Sequence, residues 1–151
     1  MNNVIASIIT NKILITGVIA WFTSQILKTI IYVIVNKEFS FERLIGDGGI
    51  PSSHSATVTS IATMTGITSG WDSPLFGVAF FLAIIVMHDA MGVRLETGKQ
   101  AKALNDLTEF IENMVGQDLT PEDKLKELVG HTPVQVFSGF CLGLLIALLM
   151  A

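Results

Sequence analysis

Three long apolar runs constrain the fold of this 151-residue chain more than any other feature. They cover residues 13–35, 75–93 and 132–150, and each supplies the ~20 residues that a membrane-spanning helix requires. Charged residues make up only 15% of the chain, against roughly 25% in soluble domains. We therefore expect an all-α integral membrane protein, folded as a single domain over residues 1–151.

A fourth span is predicted over residues 54–70, where apolar residues alternate with Ser, Thr, Ala and Gly. Small residues in a membrane helix let neighbouring helices approach closely. We therefore expect this helix to lie at the centre of a bundle of about four transmembrane helices. The small residues that recur at helical spacing are Ser55, Thr59, Ala62, Thr63 and Gly66.

The polar insertion over residues 95–130 is predicted to contain two helices. The first is amphipathic, with an apolar stripe from Leu104 to Met114, and is expected to lie on the membrane or against the bundle. The second is short, with Thr120 as its cap, Pro121 in its first position and Gly130 after its last turn.

The distribution of positive charge predicts which loops face the cytoplasm. With four spans, both chain ends lie on one side of the membrane, and that side carries Lys12 alone among Lys and Arg. The other side carries Lys37, Arg43, Arg94, Lys99, Lys102, Lys124 and Lys126. The positive-inside rule then places both polar loops in the cytoplasm of a protein of the inner cell membrane.

The segment Gly48–Ser55 has the features of an anion site. Two glycines allow a sharp turn, Pro51 suits the first turn of a helix, and Ser52 or Ser53 can cap it. A helix N-terminus of this kind presents unpaired N–H groups, two hydroxyls and the imidazole of His54.

Other polar groups are predicted at the same membrane face. Gln25 and Lys28 interrupt the first span on one helical face. The remaining members of the group are His88, Asp89, Arg94 and His131. Ionisable residues are costly in a membrane, so their convergence indicates a functional site.

This set of residues favours phosphoryl transfer. Cationic side chains neutralise phosphate oxygens, while one histidine attacks phosphorus and the other protonates the leaving oxygen. Lys28 has an alternative role, in which it extends to the lipid headgroups. Zinc is the competing interpretation, with His54, His88, Asp89 and His131 as ligands, but their spacing matches no recognised zinc motif. We therefore expect no metal and no cofactor.

Several motifs resemble a known family. Pro51-Ser52-Ser53-His54 is similar to the Pro-Ser-Gly-His element of the type 2 phosphatidic acid phosphatases (PAP2), whose fold is shared with vanadium haloperoxidases. The combination of GGIPSSHSA, IVMHDAMGVR, GKQAKALN and KELVGHTPVQVFSG resembles more closely a divergent branch of that family. This is the DUF212 branch, described as related to acid phosphatase and vanadium-dependent haloperoxidase.

The resemblance implies roles for individual residues. His131 would be the nucleophile and His54 the general acid, and the phosphate ligands would be Arg94, Ser52, Ser53 and Lys28. Gln135 stands where the family has the acidic residue that orients the nucleophile, and Asp89 would replace that acid only if the fold brings it near His131. The residues themselves favour a structural role for His88 and Asp89, as an interfacial pair that orients Arg94. The motif that begins at Lys28 is not intact, and Arg43 is the substitute suggested for its missing arginine.

Two functions are therefore open. One is a lipid-phosphate phosphatase that works through a phosphohistidine. The other is a non-catalytic protein that binds or translocates a lipid phosphate. The expected partners are the lipid bilayer and a phosphorylated lipid, with no nucleic acid. The family builds its site from about six helices, so we also expect a homodimer that associates through the small-residue faces.

Overall fold

The computed structural model describes residues 2–39, 48–116, 124–127 and 129–151. Six helices form within this part of the chain, and the described residues contain no strand. They are α1 (Asn2–Ile9), α2 (Lys12–Asn36), α3 (Ser53–Ser69), α4 (Pro74–Met91), α5 (Val93–Val115) and α6 (Pro133–Met150). The predicted all-α membrane fold is confirmed.

Local sequence signals set the ends of α2. The side chain of Asn11 accepts hydrogen bonds from the amides of Ile13 and Leu14 and so caps the helix. At the other end Lys37 adopts the left-handed conformation, with φ of 56°, and its amide donates to the carbonyl of Val33. The preceding helix α1 spans eight residues, about 12 Å, and is too short to cross a bilayer.

Helix α3 lies at the centre of the bundle, packed against α2, α4 and α6. Glycines on the neighbouring helices allow this close approach. A Cβ atom at Gly139 or Gly143 of α6 would collide with the carbonyl oxygens of Ser52 and Ala56, and one at Gly17 of α2 would lie 2.8 Å from Ile61. Because the predicted small residues of α3 are buried inside the chain, a homodimer would have to use another surface.

Three segments are long and apolar enough to cross a membrane: Lys12–Asn36, a run that begins with α4, and Pro133–Met150. The predicted fourth span corresponds to α3, which is shorter, at 17 residues, and rich in Ser and Thr. The predicted count of four crossings is therefore not established. The apolar side chains that α2, α4 and α6 expose suit contact with lipid.

The predicted amphipathic helix is α5, which follows α4 with only Gly92 between them. The prediction of a short second helix is wrong over residues 124–127, because these residues are irregular. Thr120 and Pro121, the predicted start of that helix, lie outside the described part of the chain. Residues 124–127 instead lie along α5, held by Asn105. The Asn105 side chain donates to the Leu125 carbonyl at 3.0 Å and accepts from the Leu125 amide at 3.1 Å.

Candidate functional site

The N-terminus of α3 forms one wall of the site. Ser52 caps the helix: its buried Oγ accepts from the Ser55 amide at 3.3 Å and from the Ser55 hydroxyl at 3.1 Å. Because both interactions use Ser52 Oγ as an acceptor, its own hydrogen remains available for a bound anion. Pro51 precedes the cap, in a cis peptide bond with Ile50, and does not occupy the first helical position that the sequence suggested. Ser53 is the first residue of α3 and is also buried.

Lys28 lies against the glycine turn that leads into α3. Gly48 and Gly49 have φ of 81° and 84°, a conformation that disfavours other residues. A Cβ atom at Gly49 would lie 3.0 Å from Cγ of Lys28, so the absence of a side chain there makes room for the lysine. Only 3% of Lys28 is exposed. The alternative in which its side chain extends to the lipid headgroups is therefore not the conformation observed.

The structure brings the two predicted catalytic histidines together. The ring centroids of His54 and His131 are 5.7 Å apart, with an interplanar angle of 62°. His131 is only 1% exposed, and its amide donates to the carbonyl of Ala90 at 2.9 Å. Gly130, with φ of 87°, packs directly on the backbone of Arg94 and Leu95. The junction of α4 and α5 thus holds His131 against the N-terminus of α3.

Gln135 orients the His131 imidazole. Its Oε1 accepts from the Thr132 amide at 3.1 Å and lies 3.3 Å from His131 Nδ1. Thr132 Oγ1 in turn accepts from the Gln135 amide, which completes a capping box at the start of α6. Because the Thr132 N–H requires an acceptor, the atom facing His131 is the amide oxygen. Nδ1 of a neutral His131 must then carry the proton, which leaves the lone pair on Nε2.

Arg94, the predicted phosphate ligand, is engaged by a neighbouring carboxylate. Its Nε donates to Asp89 Oδ2 at 3.0 Å, and the two side chains are 42% and 45% exposed. Asp89 therefore contacts Arg94 and does not replace the acid beside His131. His88 is exposed on α4. Arg43, the other suggested cation, lies outside the described residues.

The described residues contain no group of three or more His, Cys, Asp and Glu side chains arranged to hold a metal ion. The four residues of the zinc alternative do not converge: His54 and His131 pair with each other, whereas Asp89 binds Arg94 and His88 is exposed.

A cavity of about 180 Å³ lies between α2 and the glycine turn before α3, with Gln135 of α6 in its wall. Its polar lining includes Lys28 and Gln135, and Ile31, Val35 and Ile50 contribute apolar surface. Gln135 connects this cavity to His131, because its amide oxygen lies 3.3 Å from His131 Nδ1. A phosphate ester whose phosphoryl group lay beside Lys28 would have apolar surface next to its alcohol portion.

The sequence interpretation missed the contact of α6 with α3. Gly139 and Gly143 are spaced four residues apart, the spacing at which small residues commonly mark close helix packing in membranes. That signal was available in the sequence. These contacts matter to the site because Gly139 packs on the carbonyl of Ser52, the residue that caps α3.

Comparison with known proteins places the chain in a family. The sequence profile of the Divergent PAP2 family (DUF212) matches residues 9–146. The chain belongs to the divergent PAP2 family. The match covers all the candidate site residues, from Lys28 to Gln135.

The chain is also similar to the uncharacterized membrane protein YuiD of Bacillus subtilis (strain 168). It is 36% identical over 152 residues, which cover 95% of this chain and 96% of the relative. No solved structure matches the chain. The resemblance to a divergent PAP2 branch that the motifs indicated is confirmed.

Proposed function

We propose that this divergent PAP2 protein is a membrane phosphatase that hydrolyses the phosphate monoester of a lipid without a metal. The observation that carries the proposal is the histidine pair at the N-terminus of α3, with imidazole centroids 5.7 Å apart. Phosphoryl transfer through a covalent intermediate needs a nucleophile with a free lone pair, a proton donor and ligands for the phosphate. One imidazole supplies the lone pair, the second supplies the proton, and the start of α3 supplies anion ligands.

In the first step of the proposed reaction, the Nε2 lone pair of His131 attacks phosphorus and the bond from phosphorus to the alcohol oxygen breaks. His54, protonated, gives its proton to that oxygen, and the alcohol leaves. In the second step, a water attacks the phosphohistidine and gives a proton to His54. The P–N bond breaks, which releases inorganic phosphate and restores both histidines.

The phosphoryl oxygens would be held by four donors. The Ser52 hydroxyl and the Ser53 amide lie at the N-terminus of α3, where the helix dipole favours an anion. Lys28 supplies a buried positive charge. Arg94 would add a planar guanidinium after exchanging its contact with Asp89 for a phosphate oxygen. The positive-inside rule favours a cytoplasmic site in the inner cell membrane.

The test is an assay of the purified protein in lipid vesicles with phosphatidic acid, phosphatidylglycerophosphate and isoprenyl phosphates. We expect phosphate release from at least one, and a radiolabelled protein adduct that is acid-labile and alkali-stable. His131→Ala should abolish both signals, whereas Cys141→Ala, an exposed residue of α6, should leave them intact. Turnover no higher than that of His131→Ala on every substrate would refute the proposal.

A second candidate is a protein that binds or translocates a lipid phosphate without hydrolysing it. The neutral side chain of Gln135 favours it, because an amide oxygen stabilises an imidazolium less than a carboxylate does. Binding of vanadate by the wild-type protein without turnover, in the same vesicles, would favour this candidate.

A further inference from the structure

Gln25 has a buried side-chain oxygen without a hydrogen-bond partner in the described part of the chain. The residue is only 5% exposed. The buried hydroxyls of the same helix differ from it, because Thr16, Ser24 and Thr29 each donate to a main-chain carbonyl of α2. Buried polar atoms nearly always have a partner, so an unpaired acceptor in the core requires an explanation.

The position of Gln25 relates it to the anion site. Gly17 of α2 packs on Ile61 of α3, and Lys28 of α2 packs on Gly49 in the turn before α3, so the two helices are antiparallel. Gln25 follows Gly17 by eight residues and Ser53 precedes Ile61 by eight residues, so equal helical rise places Gln25 about level with Ser53, the first residue of α3. Along the axis of α2, Gln25 lies about 4.5 Å from Lys28, nearly one helical turn, and is closer to the middle of the predicted span.

Gln25 also shares a helical face with residues that line the cavity. Lys28, Tyr32 and Asn36 follow it at intervals of three, seven and eleven residues, and all three contribute to the cavity wall. The Gln25 side chain therefore extends the polar face of α2 below the cavity, at the depth where the α3 N-terminus would hold a phosphoryl group.

We propose that Gln25 is a further substrate-binding residue, whose Oε1 accepts a hydrogen bond from a hydroxyl of the phosphate ester bound between Lys28 and the start of α3. A carboxamide oxygen requires a donor and cannot bind a fully deprotonated phosphate oxygen. A phosphate ester can supply this donor from either of two groups. One is the P–OH of a phosphate monoanion, and the other is a hydroxyl on the alcohol portion. This inference rests on the anion pocket of the proposed function, and it does not require turnover.

The experiment compares Gln25→Met with wild type for orthovanadate affinity and thermal stability in vesicles. Methionine keeps the length of the side chain and removes the amide. We expect vanadate to bind about 3- to 10-fold more weakly, the value of one hydrogen bond. Thermal stability should be equal or higher, because the variant no longer buries an unpaired acceptor. Thr16→Val, a buried polar-to-apolar change at the far end of α2, should leave vanadate affinity unchanged.

A second variant, Gln25→Glu, keeps the shape and adds negative charge, and we expect a larger loss of vanadate affinity if the side chain reaches the anion. Comparing vanadate with a lipid phosphate shows which hydroxyl Gln25 binds. A loss with vanadate assigns the hydroxyl to the phosphoryl group. A loss only with phosphatidylglycerophosphate, which carries a free hydroxyl near its phosphate, assigns it to the alcohol.

Unchanged affinity of both Gln25 variants for every ligand would overturn the inference and leave the phosphatase proposal intact. So would a loss of affinity in Gln25→Met that is matched by a loss of thermal stability, since this would indicate a structural role. If the wild type binds vanadate but hydrolyses no substrate, the phosphatase proposal fails, and the affinities of the variants still decide the role of Gln25.

Discussion

Replacing Gln135 with Glu tests the chemical role of the residue that contacts His131, the proposed nucleophile. The amide oxygen of Gln135 accepts from the Thr132 amide at 3.1 Å and lies 3.3 Å from His131 Nδ1. A glutamate in the same conformation keeps both contacts, because Glu at the third helical position is the usual partner in a capping box. The Gln135→Glu variant therefore changes the charge beside His131 and preserves the geometry.

The magnitude follows from the kind of hydrogen bond. A hydrogen bond between neutral groups contributes about 1 kcal/mol and one to a charged group about 1.5–3 kcal/mol. In the transition state His131 gains positive charge, so the carboxylate adds roughly 0.5–2 kcal/mol of stabilisation there. This corresponds to an increase of about 2- to 30-fold in the rate of phosphohistidine formation. The stability of the fold should not decrease, because the start of a helix favours a negative charge.

The assay is single-turnover formation of the protein adduct with the best lipid phosphate, together with thermal unfolding. Gln135→Leu serves as the control that removes the acceptor: it should slow adduct formation and destabilise the start of α6. If Gln135→Glu folds as stably as wild type and forms the adduct no faster, a developing charge on His131 does not limit the reaction, and this reasoning is wrong.

Two further predictions concern the framework. Gly139→Ala should destabilise the protein by about 1–3 kcal/mol, because a Cβ atom there collides with the carbonyl of Ser52. Gly77→Ala, where nothing lies within 4 Å, should be neutral or stabilising in the same unfolding assay; equal effects of the two changes would contradict the close α3–α6 contact. Asn105→Asp should release residues 124–127 from α5, since a carboxylate cannot donate to the Leu125 carbonyl. Faster hydrogen exchange at the Leu125 amide would show the release, and unchanged protection there would contradict it.

Much of the fold could be predicted because the lipid environment leaves few alternatives. Apolar runs of membrane length had to be helical, and the observed helices Lys12–Asn36 and Pro133–Met150 begin and end within one residue of the predicted bounds. The capping signals predicted a helix after Thr120, yet residues 124–127 are irregular. At Leu125 the side chain of Asn105 takes the place of helical partners, since it bonds both the amide and the carbonyl of that residue.

The site was predictable to the extent that topology determines it. Polar residues at the same ends of successive helices had to lie at one face, and this reasoning placed His54 near His131. The contact of Gln135 with His131 follows from a spacing of four residues at the start of α6. Asp89 contacts Arg94, the structural role that the sequence favoured for it. Sequence alone could not decide between this role and a contact of Asp89 with His131, because no spacing rule fixes the distance between α4 and the start of α6.

Gln135 connects His131, the proposed nucleophile, to the start of α3 through two separate groups. Its side chain orients His131, while its main-chain carbonyl accepts from the Ser52 amide at 3.0 Å. One turn further along α6, Gly139 packs on the carbonyl of Ser52. The distance from His131 to the start of α3 is therefore determined by the contact between the N-terminal ends of α3 and α6. Small changes at this contact should move the nucleophile relative to the phosphoryl group, and reaction rates are sensitive to displacements of about 1 Å.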